Sequence, residues 1–107
     1  MNYAEKYQRL QCERQENGVL LITLDNPGKM NATDAQMHLE ISTIFRDVDS
    51  DPNINAVVVT GAGKAFSAGG ELEWIKEQVG NYTQTMRVMR EAGEIVRSMI
   101  DCDTPII

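Results

Sequence analysis

Two short apolar runs, VLLITLD at 19–25 and INAVVVT at 54–60, bracket a segment of a different period. Each run is continuous rather than alternating and rich in β-formers, the pattern of a strand buried on both faces. Between them Met37, Ile41, Ile44, Phe45 and Val48 recur at helical spacing. That spacing predicts a helix over 33–49 with its apolar side on a sheet. Thr33 and Gln36 open it as a capping box, and Asp51-Pro52-Asn53 ends it. A strand, a helix and a strand with short connections form a right-handed crossover, so the two strands should lie parallel in one sheet. The expected class is α/β.

The flanking segments extend this core. Residues 6–15 alternate loosely and predict an edge strand, and Glu16-Asn17-Gly18 is a hairpin-type turn. Asn26-Pro27-Gly28 breaks the first apolar run, and a short helix is expected from about Glu71. A longer helix is predicted over 83–100, with Met86, Met89, Gly93, Val96 and Met99/Ile100 on its packed face. Asp103-Thr104-Pro105 stops it, and Ile106-Ile107 read as the opening of a third buried strand. No repeat or linker divides the chain, so residues 1–107 are expected to form one unit that stops before it is finished.

Composition removes several classes of function. The formal net charge is −6 and Lys and Arg form no cluster, which argues against nucleic acid as a partner. No apolar run approaches the ~20 residues of a membrane span, so no membrane association is expected. The N-terminal stretch has no apolar core of a secretory signal, and a cytoplasmic location is expected. Cys12 and Cys102 lie far apart without metal-ligand spacing and are expected as free thiols.

The stretch AVVVTGAGKAFSAGGELEWI, 56–75, carries the chemistry. It is not a P-loop, because Ala65 follows Gly63-Lys64 where a hydroxyl residue is needed. It is not a dinucleotide fingerprint, because Phe66 occupies the third glycine position. Phe66 is expected to plug the core and fix the loop. Gly69 and Gly70 allow backbone to approach a ligand with no Cβ in the way. An unpaired amide at a helix start suits an oxygen that gains negative charge during a reaction. A plain turn between strand and helix accounts for the two glycines equally well.

The segment LDNPGKMNATDAQM, followed at this distance by AVVVTGAGKAFSAGGELEWI, resembles the N-terminal half of the crotonase superfamily, the enoyl-CoA hydratases and isomerases. The resemblance runs over roughly residues 18–107. It implies a crotonase-like spiral of ββα units, incomplete at the C-terminus, with residues 1–107 as the N-terminal part of a single core domain. It implies an acyl-CoA thioester substrate, no permanently bound cofactor beyond the coenzyme A of that substrate, and a homotrimer or hexamer in the longer protein. It places the Gly70 amide on the thioester oxygen and the backbone of Ala68 and Gly69 near the adenine. Lys29 and Met30 then line the coenzyme A groove. Where the family carries Lys directly after the Pro, this chain has Gly28, and Lys29 comes one residue later; where it carries Asp, this chain has Glu71.

The second amide donor and the acid/base carboxylates are expected beyond Ile107, so the segment alone is expected to be inactive. A non-catalytic acyl-CoA-binding or nucleotide-binding module is the alternative. Glu71, Glu73 and Glu77 are read as a solvated helix start. His38 is read as a surface or packing residue, and Trp74 as filling the core or an interface.

Overall fold

A computed structural model describes residues 1–107. Its elements are α1 (Tyr3–Lys6), β1 (Leu10–Arg14), β2 (Val19–Leu24), α2 (Ala35–Asp49), β3 (Ala56–Gly61), α3 (Leu72–Gln78) and α4 (Tyr82–Ile100). The sheet has the order β1-β2-β3. β2 and β3 are parallel, from Val19 opposite Ala56 to Leu24 opposite Gly61, with α2 as the crossover. β1 is the antiparallel edge, Leu10 facing Leu24. In the turn before β2, Asn17 and Gly18 hold φ of 63° and 76°. Two successive left-handed residues match the twist of a hairpin, which is why Asn-Gly stands there. Ile106 pairs in parallel with Val57, and the Ile107 N–H donates to the Val57 carbonyl at 2.8 Å, so a further strand does open beside β3. No helix is long and apolar enough to cross a membrane.

The core joins α2 to one face of the sheet. Leu20, Ile22, Leu24 and Val57 meet Met37, Ile44, Phe45 and Val48 in one buried cluster. The expected burial of β2 on both faces is not what is found: Leu20, Ile22 and Leu24 are buried, while Val19, Leu21 and Thr23 stay half-exposed. The helix cap also differs. Asp34, not Thr33, accepts the Met37 N–H at 2.9 Å, because Thr33 is engaged as backbone with Gly69 and Glu71. Gln36 donates to Glu40 instead of closing a capping box.

α4 packs on α2 by a face other than the predicted one. Val88, Ile95 and Ser98 turn inward, while Met89, Val96 and Ile100 are 59%, 56% and 75% exposed. Polar ties set this rotation: His38 of α2 holds Glu91, and Arg46 holds Glu94. Of the stripe that periodicity selected, Met89, Val96, Met99 and Ile100 face outward, while Met86 and Gly93 stay half-buried.

Both cysteines are free. Cys12 packs against the core, and burial, followed by the nearby Glu40 carboxylate, pushes its thiol up to about 12. The fold thus favours the neutral thiol. The associated stability is complete below the ordinary thiol range, near about 8.5, and is lost as pH rises from there toward 12. At pH ~8, iodoacetamide should label native Cys12 roughly a hundredfold more slowly than the same residue in urea. Equal rates would show that the thiol is not held in the core.

Candidate functional site

The two sequence segments that stood out meet side by side at the C-terminal end of β3. Asn31 joins them. Its side chain is buried, its backbone is left-handed at φ 58°, and Oδ1 accepts the Asn26 N–H at 3.1 Å. Its Nδ2 donates to the carbonyls of Ala62 and Ala65, both at 2.8 Å. An amide side chain suits this place because it accepts on one side and donates twice on the other. Next along the chain, the Thr33 N–H donates to the Gly69 carbonyl at 2.7 Å, and the Glu71 N–H donates to the Thr33 carbonyl at 2.8 Å. Thr33 and Gly70 thus form a one-residue parallel bridge that clamps the end of the glycine loop.

Within that clamp Gly69 has φ 92°, a conformation that L side chains rarely adopt. The Gly70 N–H makes no hydrogen bond within the chain. The helix start beyond it is less open than an anion cradle would be. The Glu71 side chain accepts the Glu73 and Trp74 amides at 3.2 and 2.9 Å, so α3 is capped by its own carboxylate. The reading of Glu71 as merely solvated is corrected in the same stroke. Glu71 also lies 3.9 Å from the Lys29 ammonium.

A groove of about 470 Å³ runs along this clamp, walled by Lys29, Ala32, Ala68, Gly70 and Glu71 among others. Three of the candidate residues, Lys29, Ala68 and Gly70, are therefore brought together here, while Gly69 lines the neighbouring groove. Met30 is left-handed at φ 51° and 69% exposed, and it is not one of this groove's walls. On the other side of Gly69 and Gly70 lies a second groove of about 480 Å³, reached by His38, Trp74, Ile75, Val88 and Ile95.

His38 and Trp74 are both placed by packing. Trp74 is buried and tilted against the His38 ring at 5.1 Å between centroids, and His38 Nδ1 lies 2.7 Å from Glu91 Oε1. Phe66 does not plug the core. It is 60% exposed, at the mouth of an apolar cavity of about 400 Å³ that also touches Leu24, Phe45, Met99 and Ile107. The loop is held by hydrogen bonds from Asn31 to its carbonyls, so its backbone, not the Phe66 ring, turns inward. No three His, Cys, Asp or Glu side chains come close enough to hold a metal ion.

Sequence reasoning missed three parts of this site: the staple made by Asn31, the pairing of His38 with Glu91, and the close approach of the Ala65 and Phe66 backbone to Gly61, where a Cβ would lie 2.3 Å from the Ala65 carbonyl oxygen. Asn31 carried one usable signal, an Asn in a glycine-containing loop, where left-handed backbone is common.

A sequence model of the family described as enoyl-CoA hydratase/isomerase matches residues 14–107. The chain is 41% identical over 89 residues to the Mycobacterium tuberculosis protein named "Probable enoyl-CoA hydratase EchA14", covering 83% of this chain and 34% of that one. It is 33% identical to the 6-oxocyclohex-1-ene-1-carbonyl-CoA hydrolase of Geobacter metallireducens, covering 95% of this chain and 29% of the relative. The crystal structure of an enoyl-CoA hydratase/isomerase from Mycobacterium paratuberculosis superposes with a TM-score of 0.87 at 30% identity, over 92% of this chain and 39% of that structure. The chain thus spans about a third of the length of the relatives it matches.

Proposed function

The chain belongs to the enoyl-CoA hydratase/isomerase family, and on that premise we propose that it binds an acyl-CoA thioester and stabilises an enolate-type oxyanion through the Gly70 amide. One observation carries this reading: the Gly70 N–H is unpaired in a backbone clamped on both sides by Thr33. A donor held in place before the reaction needs no reorganisation when charge develops on the thioester oxygen. One such donor contributes about 3 kcal/mol to lowering a barrier. Hydration and isomerisation both draw on it: in hydration the electrons of the double bond pass into the thioester carbonyl, and in isomerisation those of the α-C–H bond do so as a base takes the proton.

The groove supports the substrate class. Lys29 supplies a cation for phosphate oxygens, and the loop at Ala68 and Gly69 supplies backbone polar groups for a flat base. Lys29 would exchange its 3.9 Å contact with Glu71 for the phosphate. Met30 would cover the same ligand from the exposed rim. The relatives carry names of enzymes, which favours catalysis over a binding module. Residues 1–107 supply one amide in this reading. The resemblance puts the second amide, the general acid and the general base beyond Ile107, and it implies a trimer or hexamer of the longer protein.

Gly70→Pro in the complete protein removes the N–H outright, and turnover of an α,β-unsaturated acyl-CoA should fall roughly a hundredfold. Gly70→Ala is the control. It keeps the N–H, and its Cβ meets only the flexible Ile75 side chain, Cδ1 at 2.7 Å and Cγ1 at 3.3 Å. Folded Gly70→Pro with near-normal turnover would mean that the loop is only a turn.

A further inference from the structure

We infer that His38 is a specificity-determining residue, which makes the groove beside Gly70 select acyl groups that carry a hydroxyl. The inference rests on the acyl-CoA reading above. Gly70 stands at the junction of two grooves: one holds Lys29 and Ala68, and the other is reached by His38. A thioester whose oxygen meets the Gly70 amide, with its phosphates toward Lys29, directs its acyl group into the second groove. Its walls are apolar at Ile41, Trp74, Ile75, Val88 and Ile95, and polar at Thr33, Gln78 and His38.

His38 breaks that apolar lining in a defined way. Its Nδ1 is 2.7 Å from Glu91 Oε1. An ionised carboxylate only accepts, so Nδ1 carries a proton and Nε2 is left as the free position of the ring. Nε2 has no hydrogen-bond partner in the chain, and no sealed-off side-chain polar atom lacks one, so Nε2 is reachable from outside. The ring cannot turn away easily: Glu91 holds one edge, and Trp74 lies against it at 5.1 Å.

A plain alkyl group drawn over that nitrogen removes its water and offers nothing in return. A site built to hydrogen-bond a hydroxyl discriminates against the analogue that lacks it, for this reason. A hydroxyl also suits both protonation states. It donates to a neutral Nε2 and accepts from the N–H of an imidazolium.

The test is calorimetric binding of ω-hydroxyacyl-CoA esters of several chain lengths, each against its unsubstituted parent, to the complete protein and to His38→Leu and His38→Gln. The native protein should bind at least one hydroxylated ester about tenfold more tightly than its parent. His38→Leu should abolish that preference, with the parent ester bound at least as tightly as by the native protein, because its alkyl group no longer covers an unpaired nitrogen. His38→Gln, which keeps a polar group at similar reach, should retain part of it. Equal binding of all pairs by the native protein, or a preference that survives in His38→Leu, overturns the inference while leaving the acyl-CoA reading intact. Absence of binding by any ester overturns both.

Discussion

Gly61→Ala should lower the stability of this chain by about 3 kcal/mol or more, the upper range for forcing an atom into a filled place. The reason is contact, not backbone dihedral. A Cβ on Gly61 would lie 2.3 Å from the Ala65 carbonyl oxygen, 2.5 Å from that of Phe66 and 2.6 Å from the Phe66 Cα. All three are backbone atoms, so no side chain can swing aside. The loop would have to lift, and the Ala65 carbonyl is one of the two that Asn31 holds. Damage at the strand end therefore reaches the clamp around Gly70. Urea unfolding measures the loss, with Gly93→Ala as the comparison. A Cβ there meets only the flexible end of Arg97, and alanine favours the helix by up to about 1 kcal/mol. A Gly61→Ala protein that unfolds at the native urea concentration would refute the close approach of loop and strand.

Glu40→Ala should cost a similar amount, about 3 kcal/mol, by a different route. Glu40 is a buried carboxylate on α2 that receives the start of β1. Its Oε1 accepts the backbone N–H of Gln8 at 2.6 Å, of Arg9 at 3.0 Å and of Leu10 at 3.4 Å. Its Oε2 accepts from Gln36 at 3.0 Å. A carboxylate that gathers successive amides takes the place of the ladder partner those residues lack before the strand begins. Alanine strands these amides beside the core. Glu40→Gln keeps one accepting oxygen and should lose about half as much. Hydrogen exchange locates the effect: the Arg9 and Leu10 amides should exchange faster, while those of β3 change only with global stability. Unchanged exchange at Arg9 and Leu10 in Glu40→Ala would mean that the carboxylate does not hold the strand.

The parallel pair β2–β3 and its α2 crossover were legible in the sequence. So were the Asn17-Gly18 turn, the strand opening at Ile106 and the family. Each rests on chemistry carried by neighbouring residues, such as apolar periodicity, a left-handed dipeptide or a motif of fixed spacing. Tertiary structure decided what those local patterns cannot encode. A count of apolar residues prefers Met89, Val96 and Ile100 as the packed side of α4. The helix turns the other way because its charged residues, Glu91 and Glu94, find partners on α2 that periodicity assigns to solvent. Phe66 was expected inside because it is large and apolar, yet hydrogen bonds from Asn31, about thirty residues earlier, hold its loop with the ring outward. The free ring position of His38 likewise exists only because α2, α3 and α4 converge on it. Local periodicity specifies which segments become strands and helices, since that depends on bonds within a few residues. The rotation of each helix and the content of each groove depend on pairs of polar groups far apart in the chain, and those pairs exist only once the elements are packed.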